Sequence, residues 1–137
     1  MHRKGIALMT AVSLSAIAMV FTGVLLYLAT STAKVTGMQR RYMASLEAAK
    51  GVAYYLMKRM DDGTFCGSMV DCSKDNQTIS LDSTYKNLGG FNVNATLIKR
   101  VQVSLGNQTF ELYSVRITAS QNETNEHSEV EFIYRVP

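Results

Sequence analysis

Proline is almost missing from this chain. The only one is the last residue, Pro137, so no internal segment carries the residue that lacks a backbone N–H and clashes with the preceding helical turn. Histidine is nearly as rare: His2 and His127 are the only two, and neither lies near Cys66 or Cys72 in sequence, which argues against a histidine–cysteine metal site. Enzymatic signatures are lacking as well. The chain has no Gly-x-Ser-x-Gly, no phosphate loop and no His-Glu-x-x-His, and its glycines from Gly5 to Gly90 show no dinucleotide-binding spacing. Asp61-Asp62 and Glu129-x-Glu131 are carboxylate pairs, but a solvated turn and a solvated strand face account for them. The expectation is a protein that is not an enzyme, with no catalytic residue, cofactor or metal. The formal net charge is only +3, and basic residues in the later part are interleaved with acids. No specific nucleic-acid site is evident from such a pattern.

The most informative shortage is one of charge. From Gly5 to Ala33 no side chain is ionisable at neutral pH, and the run reads GIALMTAVSLSAIAMVFTGVLLYLATSTA. As a helix it is about 43 Å long against a hydrocarbon core of about 30 Å, so it can span a membrane. A cleavable secretory signal is the competing reading, with His2-Arg3-Lys4 as its basic region and the small residues Ala29 to Ala33 as a cleavage site. The apolar stretch is about twice the ~7 to 15 residues usual for such a signal, which favours retention. Arg3 and Lys4 before the span place the N-terminus in the cytoplasm by the positive-inside rule, and Lys34, Arg40 and Arg41 on the far side weaken that signal. The rest of the chain is then exported. Cys66 and Cys72 agree with export, because they enclose the short loop GSMVD and can form a disulfide in an oxidising compartment; two free thiols are the alternative.

Beyond the span, MQRRYMASLEAAKGVAYYLMKRM places Met38, Tyr42, Leu46, Ala49, Ala53, Leu56 and Met60 at spacings of three or four, with charged residues between them. This predicts an amphipathic helix, ended by Asp61-Asp62-Gly63 with Gly63 in the left-handed conformation. Thr30 to Gly37, between the two helical parts, has weak helix propensity, yet without proline a continuous helix is expected, about 82 Å from Ile6 to Met60. Residues 63–90 read as a long polar connection ordered by the disulfide. After Gly90 the period becomes two. Phe91, Val93, Ala95, Leu97, Val101, Val103 and Leu105 share one parity, which Lys99 interrupts; a turn at Leu105-Gly106-Asn107-Gln108 leads to a strand over Thr109–Ser120, and a last strand covers Ser128–Val136. Three strands make an antiparallel meander whose apolar face needs the helix from Met38 to Met60 as its cover. The fold class is α+β: a long N-terminal helix, membrane-spanning in its first half, packed by its second half on a small antiparallel sheet.

Two further patterns bear on function. Small and hydroxylated residues in the span, among them Ala7, Thr10, Ala11, Ser15, Ala18 and Gly23, suit close packing against partner helices; an ordinary lipid-facing anchor is the alternative, but a solitary anchor gains nothing from so many small residues. Asn76, Asn94, Asn107 and Asn122 each begin an Asn-x-Thr sequon, a glycosylation candidate if the chain is eukaryotic and otherwise an ordinary use of Asn and Thr in turns and strands.

The start Arg3-Lys4-Gly5-Ile6-Ala7-Leu8 followed by the apolar run resembles a type IV prepilin, in particular the PilX-type minor pilins and the minor pseudopilins of type II secretion. Arg41 to Ala53 (RYMASLEAAKGVA) is similar to the exposed-helix pattern of the PilX type. The resemblance reaches as far as Met60; beyond it only the style, a helix with antiparallel strands, is shared. It implies a leader of residues 1–5 cut after Gly5 by a prepilin peptidase, with methylation of Ile6 as the new N-terminus. Residues 6–33 would then be a filament-core helix; the residue patterns themselves give the amphipathic helix over 34–62, the loop region over 63–90 with its expected disulfide and the antiparallel head over 91–137. Partners would be other pilins or pseudopilins and the inner-membrane assembly platform; the location would be the bacterial inner membrane, then a periplasmic or cell-surface filament. Major pilins usually carry glutamate at the fifth mature position, which here is Thr10, and this departure points to a minor subunit that primes or caps a filament. The rival is a single-pass anchored extracytoplasmic binding module that does not polymerise. A secreted enzyme released by signal cleavage is a third reading.

Overall fold

A computed structural model describes residues 2–123 and 125–137. The side chains of His2 and Arg3, in the expected leader, lie outside the described residues, as does Thr124 of the sequon that begins at Asn122. The chain forms two compact units, Met1–Arg40 and Arg41–Pro137. The observed fold is α+β, as expected: one long N-terminal helix and a small antiparallel sheet.

Helix α1 covers His2–Asp61 without interruption. Along its weak stretch the hydroxyls turn back on their own backbone. Thr30 Oγ1 donates to the Leu26 and Tyr27 carbonyls at 3.0 Å, Thr32 to Leu28 at 2.8 Å and Thr36 to Thr32 at 2.9 Å. The helix ends as its sequence dictates. Gly63 has φ +70°, its N–H donates to the Met60 carbonyl, and the Thr64 N–H donates to the Arg59 carbonyl at 3.1 Å. These two bonds form a Schellman motif, which satisfies carbonyls that the last turn would otherwise leave unpaired.

In the second unit, Ser45, Ala48, Ala49, Val52, Ala53, Leu56 and Met60 form the buried stripe of α1, at steps of three and four. This corrects the expected face at its start: Met38 and Tyr42 are exposed, at 64% and 50%, and Ser45, Ala48 and Val52 belong to the stripe instead. A Cβ on Gly51 would stand 3.3 Å from the Leu88 side chain, a tight contact to which Leu88 would have to give by a few tenths of an ångström.

The connection over 63–90 is more structured than its polar composition suggested. It contains strand β1 (Gln77–Thr78), the short helix α2 (Ser83–Lys86) and strand β2 (Asn87–Leu88). The sheet therefore has five strands and not three: β3 (Phe91–Leu105), β4 (Gln108–Ser120) and β5 (His127–Val136) follow in the order β1-β3-β4-β5, with β2 also paired to β3. For β2 the physical reason is the Gly89-Gly90 pair, with φ +62° and +83°, which makes a two-residue hairpin turn of the kind whose twist matches antiparallel strands. Phe65, Met69, Val70 and Ile79 then sink into the core and hold the rest of the segment down.

A bulge between Leu97 and Lys99 sets the long hairpin. Before it, Phe91, Val93, Ala95 and Leu97 face the helix and are buried. After it, Arg100 pairs with Tyr113 and Gln102 with Glu111 on that face, while Val101, Val103 and Leu105 turn to the opposite one. The expectation that all seven apolar residues share one buried face is thus corrected: Val101 and Leu105 are 41% and 67% exposed. On β4 and β5 the expected alternation holds, with Tyr113, Val115, Ile117 and Ala119 buried. Val130, Phe132, Tyr134 and Val136 line the same face, partly covered.

Candidate functional site

Two regions carry the residues singled out from the sequence, one in each unit. In the first, every residue from Lys4 to Ala44 is exposed on α1, including the expected processing pair Gly5 and Ile6. This helix is long and apolar enough to cross a membrane, and none of its most apolar window is buried within the protein. Helical geometry brings Ala7, Thr10, Ala11, Ser15 and Ala18 within an arc of about 140°, and leaves Gly23 outside it. They make one small-residue face. A shallow groove lined by Ala29, Thr32, Ala33, Thr36 and Gly37 lies further along the helix.

Three hydroxyls on this helix are already satisfied. Thr10 Oγ1 donates to the Ala7 carbonyl at 2.9 Å, Ser15 Oγ to Val12 at 2.9 Å and Thr22 Oγ1 to Ala18 at 2.8 Å. A hydroxyl bonded to its own helix enters an apolar medium without the penalty of an unpaired polar group, so these residues suit both lipid and a helix–helix contact. Thr10 offers a neighbour no charge. The Gly5 and Gly23 positions are open, with nothing within 4 Å of where a Cβ would stand.

In the second unit, Cys66 and Cys72 are joined by a disulfide with their Cα atoms 5.5 Å apart, which settles the choice between bridge and free thiols. The bridge sits beside a polar cluster that the sequence did not reveal. Tyr113 Oη stands 3.5 Å from Cys66 Sγ and donates to Glu111 Oε2; Glu111 Oε1 accepts from Arg100 Nη2. The Phe65 ring meets that of Tyr113 edge-on at 5.5 Å. The bond from Arg100, followed by that from Tyr113, holds the Glu111 carboxyl below its ordinary range. Burial, reinforced by Glu111, pushes Tyr113 up to about 12. Only the Lys99 interruption in the strand pattern could have hinted at this cluster, because the bulge beside it carries Arg100 to the helix face.

Near the helix end, Tyr55 stacks on Tyr85 at 3.9 Å and donates to Asp82 Oδ2 at 2.9 Å, while Arg59 Nε donates to Tyr55 Oη at 3.2 Å. Tyr134 on β5 donates to Asp61 Oδ2 at 2.9 Å, tying that strand to the end of α1. The two carboxylate pairs are thereby placed: Asp61 serves this tie, and Glu129 and Glu131 flank Arg116 on the outer sheet face. Among the described residues no group of three or more potential metal ligands comes together. Asn76, Asn94 and Asn107 are all exposed, Asn94 within β3. Searched against protein-family models, curated proteins and solved structures, the chain matches none.

Proposed function

We propose that this chain is a minor pilin-like structural subunit that helps to assemble or prime a type IV pilus or a type II secretion pseudopilus. The observation that carries the reading is the exposed apolar helix before Arg41, whose side chains find no cover within their own unit and call for lipid or sister helices. The subunit waits in the bacterial inner membrane with its N-terminus in the cytoplasm. On assembly it exchanges lipid contacts for contacts along the face of Ala7, Thr10, Ala11, Ser15 and Ala18. The disulfide supports an oxidising compartment for the head. With threonine at position 10 there is no carboxylate to pair with a neighbour's terminal amine, and a low-copy subunit without a neighbour above it tolerates that loss.

Processing is the direct test. Intact-mass measurement of the chain from the native membrane should show loss of residues 1–5 and gain of one methyl group at Ile6. A soluble product beginning near residue 30 would end the reading. An unprocessed chain carrying sugar at Asn76, Asn94 or Asn107, whose side chains are exposed, would establish instead the anchored module that does not polymerise.

A further inference from the structure

The packed part of α1 runs beside the strands from Gly51, which lies against Leu88 at the start of β3, to Asp61, which accepts from Tyr134. Tyr134 is level with Tyr113 and Arg100, so the hairpin from Val101 to Leu112 projects past the helix end. On its helix side this hairpin is polar, with Gln102 beside Glu111 and Ser104 beside Thr109. The bulge has turned its apolar residues outward: Val101, Val103, Leu105, Phe110 and Leu112 share the outer face, and Ile133, 73% exposed, joins them from β5. Single exposed apolar side chains are ordinary, whereas a contiguous set marks a contact surface.

The same face carries charge of both signs in two separate places. Toward β5, Arg116 stands between Glu129, at 3.0 Å, and Glu131, and two carboxylates against one guanidinium leave one negative charge in excess. On β3, Lys99 is level with Ser114 and Ile133 and has no carboxylate within ion-pair distance among the described residues.

We propose that this outer face binds the same face of a second copy of this chain, sheet on sheet, about a two-fold axis that runs along β4. Rotation about that axis sets β3 of each copy over β5 of the other. Phe110 and Leu112 then meet their counterparts at the axis, Val101 and Val103 pack beside them, and Ile133 is covered. Aligned sheets stand about 10 Å apart, a gap that side chains from both fill. Lys99 of each copy comes over the excess acid of the other. Both contacts from Arg116 to Glu131 fall on Oε1, which leaves Oε2 for that lysine. Arg135, 4.4 Å over the Phe110 ring, stays at the rim on the edge strand.

The direction of the axis also fixes polarity. A two-fold normal to the sheet, or across its strands, would reverse one α1 against the other. An axis along the strands keeps both running the same way and puts them on the two outer sides of the pair, so chains that share a membrane can form it at raised effective concentration. The contact rests on the head alone and is independent of the pilus reading.

Chemical linking of the full chain in lipid vesicles tests it, since Cys66 and Cys72 are paired and an introduced cysteine is the one reactive thiol. Ser114→Cys, beside the axis, should be joined to its counterpart by a short bismaleimide, whereas Lys58→Cys, exposed on α1, should give little. Adding Lys99→Glu to Ser114→Cys replaces two attractions by two repulsions and should lower the dimer yield roughly tenfold. Adding Glu131→Lys as well should restore it, which a merely misfolded variant would not do. Equal yields at positions 58 and 114, or a yield at 114 that is indifferent to the charge exchange, would overturn the proposal. So would a fluorophore on Leu105→Cys whose shift to an apolar environment follows the amount of lipid and not of protein, because the face would then belong to a bilayer.

Discussion

Breaking the Cys66–Cys72 bridge should loosen the head without unfolding it. The two cysteines lie six positions apart, and the chain-entropy treatment gives ~2.4 kcal/mol for so short a loop. Against a typical domain stability of about 5–15 kcal/mol this is a large fraction, yet not the whole. Contacts other than the bridge remain: Phe65 is 1% exposed and Ile79 3%, and the Ile79 N–H donates to the Ala95 carbonyl at 2.9 Å. The double variant Cys66→Ser, Cys72→Ser, in detergent, should therefore melt in urea as one cooperative head, with a midpoint lowered by roughly 1–2 M. Hydrogen exchange supplies the local readout. The amides of Gly67, Met69 and Ser80, bonded to Val70, Phe65 and Met69, should exchange faster, while those of the β3–β4 ladder change only with global stability. An unchanged midpoint together with unchanged exchange at these three amides would refute the reasoning, because the apolar anchors alone would then be fixing the segment.

Other outcomes follow from burial and charge. Leu56 is fully buried at the centre of the helix–sheet contact, so Leu56→Ala should destabilise the head by about 2–5 kcal/mol in urea titration, whereas exposed Tyr54→Ala should stay within ~0.5 kcal/mol. Glu111 has its carboxyl pKa lowered from 4.5 by Arg100 and then Tyr113; its contribution is complete above 4.5 and is lost as pH falls through the lower folded value. Glu111→Gln should flatten that acid limb of the stability profile. Tyr113 is raised from 10.0 to about 12, so its contribution is complete below 10.0 and lost as pH rises through about 12, which phenolate absorbance of the folded head can follow.

The elements legible in the sequence are those where one residue or one period decides. The charge-free run, the stop at Gly63, the turn at Gly106-Asn107 and the alternation of β4 each follow from local chemistry, and the structure has them. The shortest elements were not legible. Strands β1 and β2 are two residues each, too short for any period, and exist because β3 offers an unpaired edge beside them. The Arg100–Glu111–Tyr113 cluster also escaped, since its members come together only through strand register. Along the membrane-competent helix the sequence carries composition but no partner. The face of Ala7, Ala11 and Ala18 is geometry of the helix itself, and what it meets depends on another molecule.

The bulge makes the reversal of faces testable by subtraction. Ile98 is the extra residue: Leu97 pairs with Val115 and Lys99 with the adjacent Ser114. Deleting it should leave every later pair intact, so Arg100 keeps Tyr113 and Glu111 within reach and the Gly106 turn is undisturbed. What is lost is the Ile98 carbonyl that accepts from the Asn76 N–H at 3.1 Å, so exchange at Asn76 and along β1 should quicken. Deleting Val101 should behave differently. It removes a paired residue, so the chain from Gln102 to the turn must reverse its faces or open the hairpin, and the head should lose far more stability than it does without Ile98. Equal losses from the two deletions would mean that the bulge is not what directs Arg100 toward the helix side.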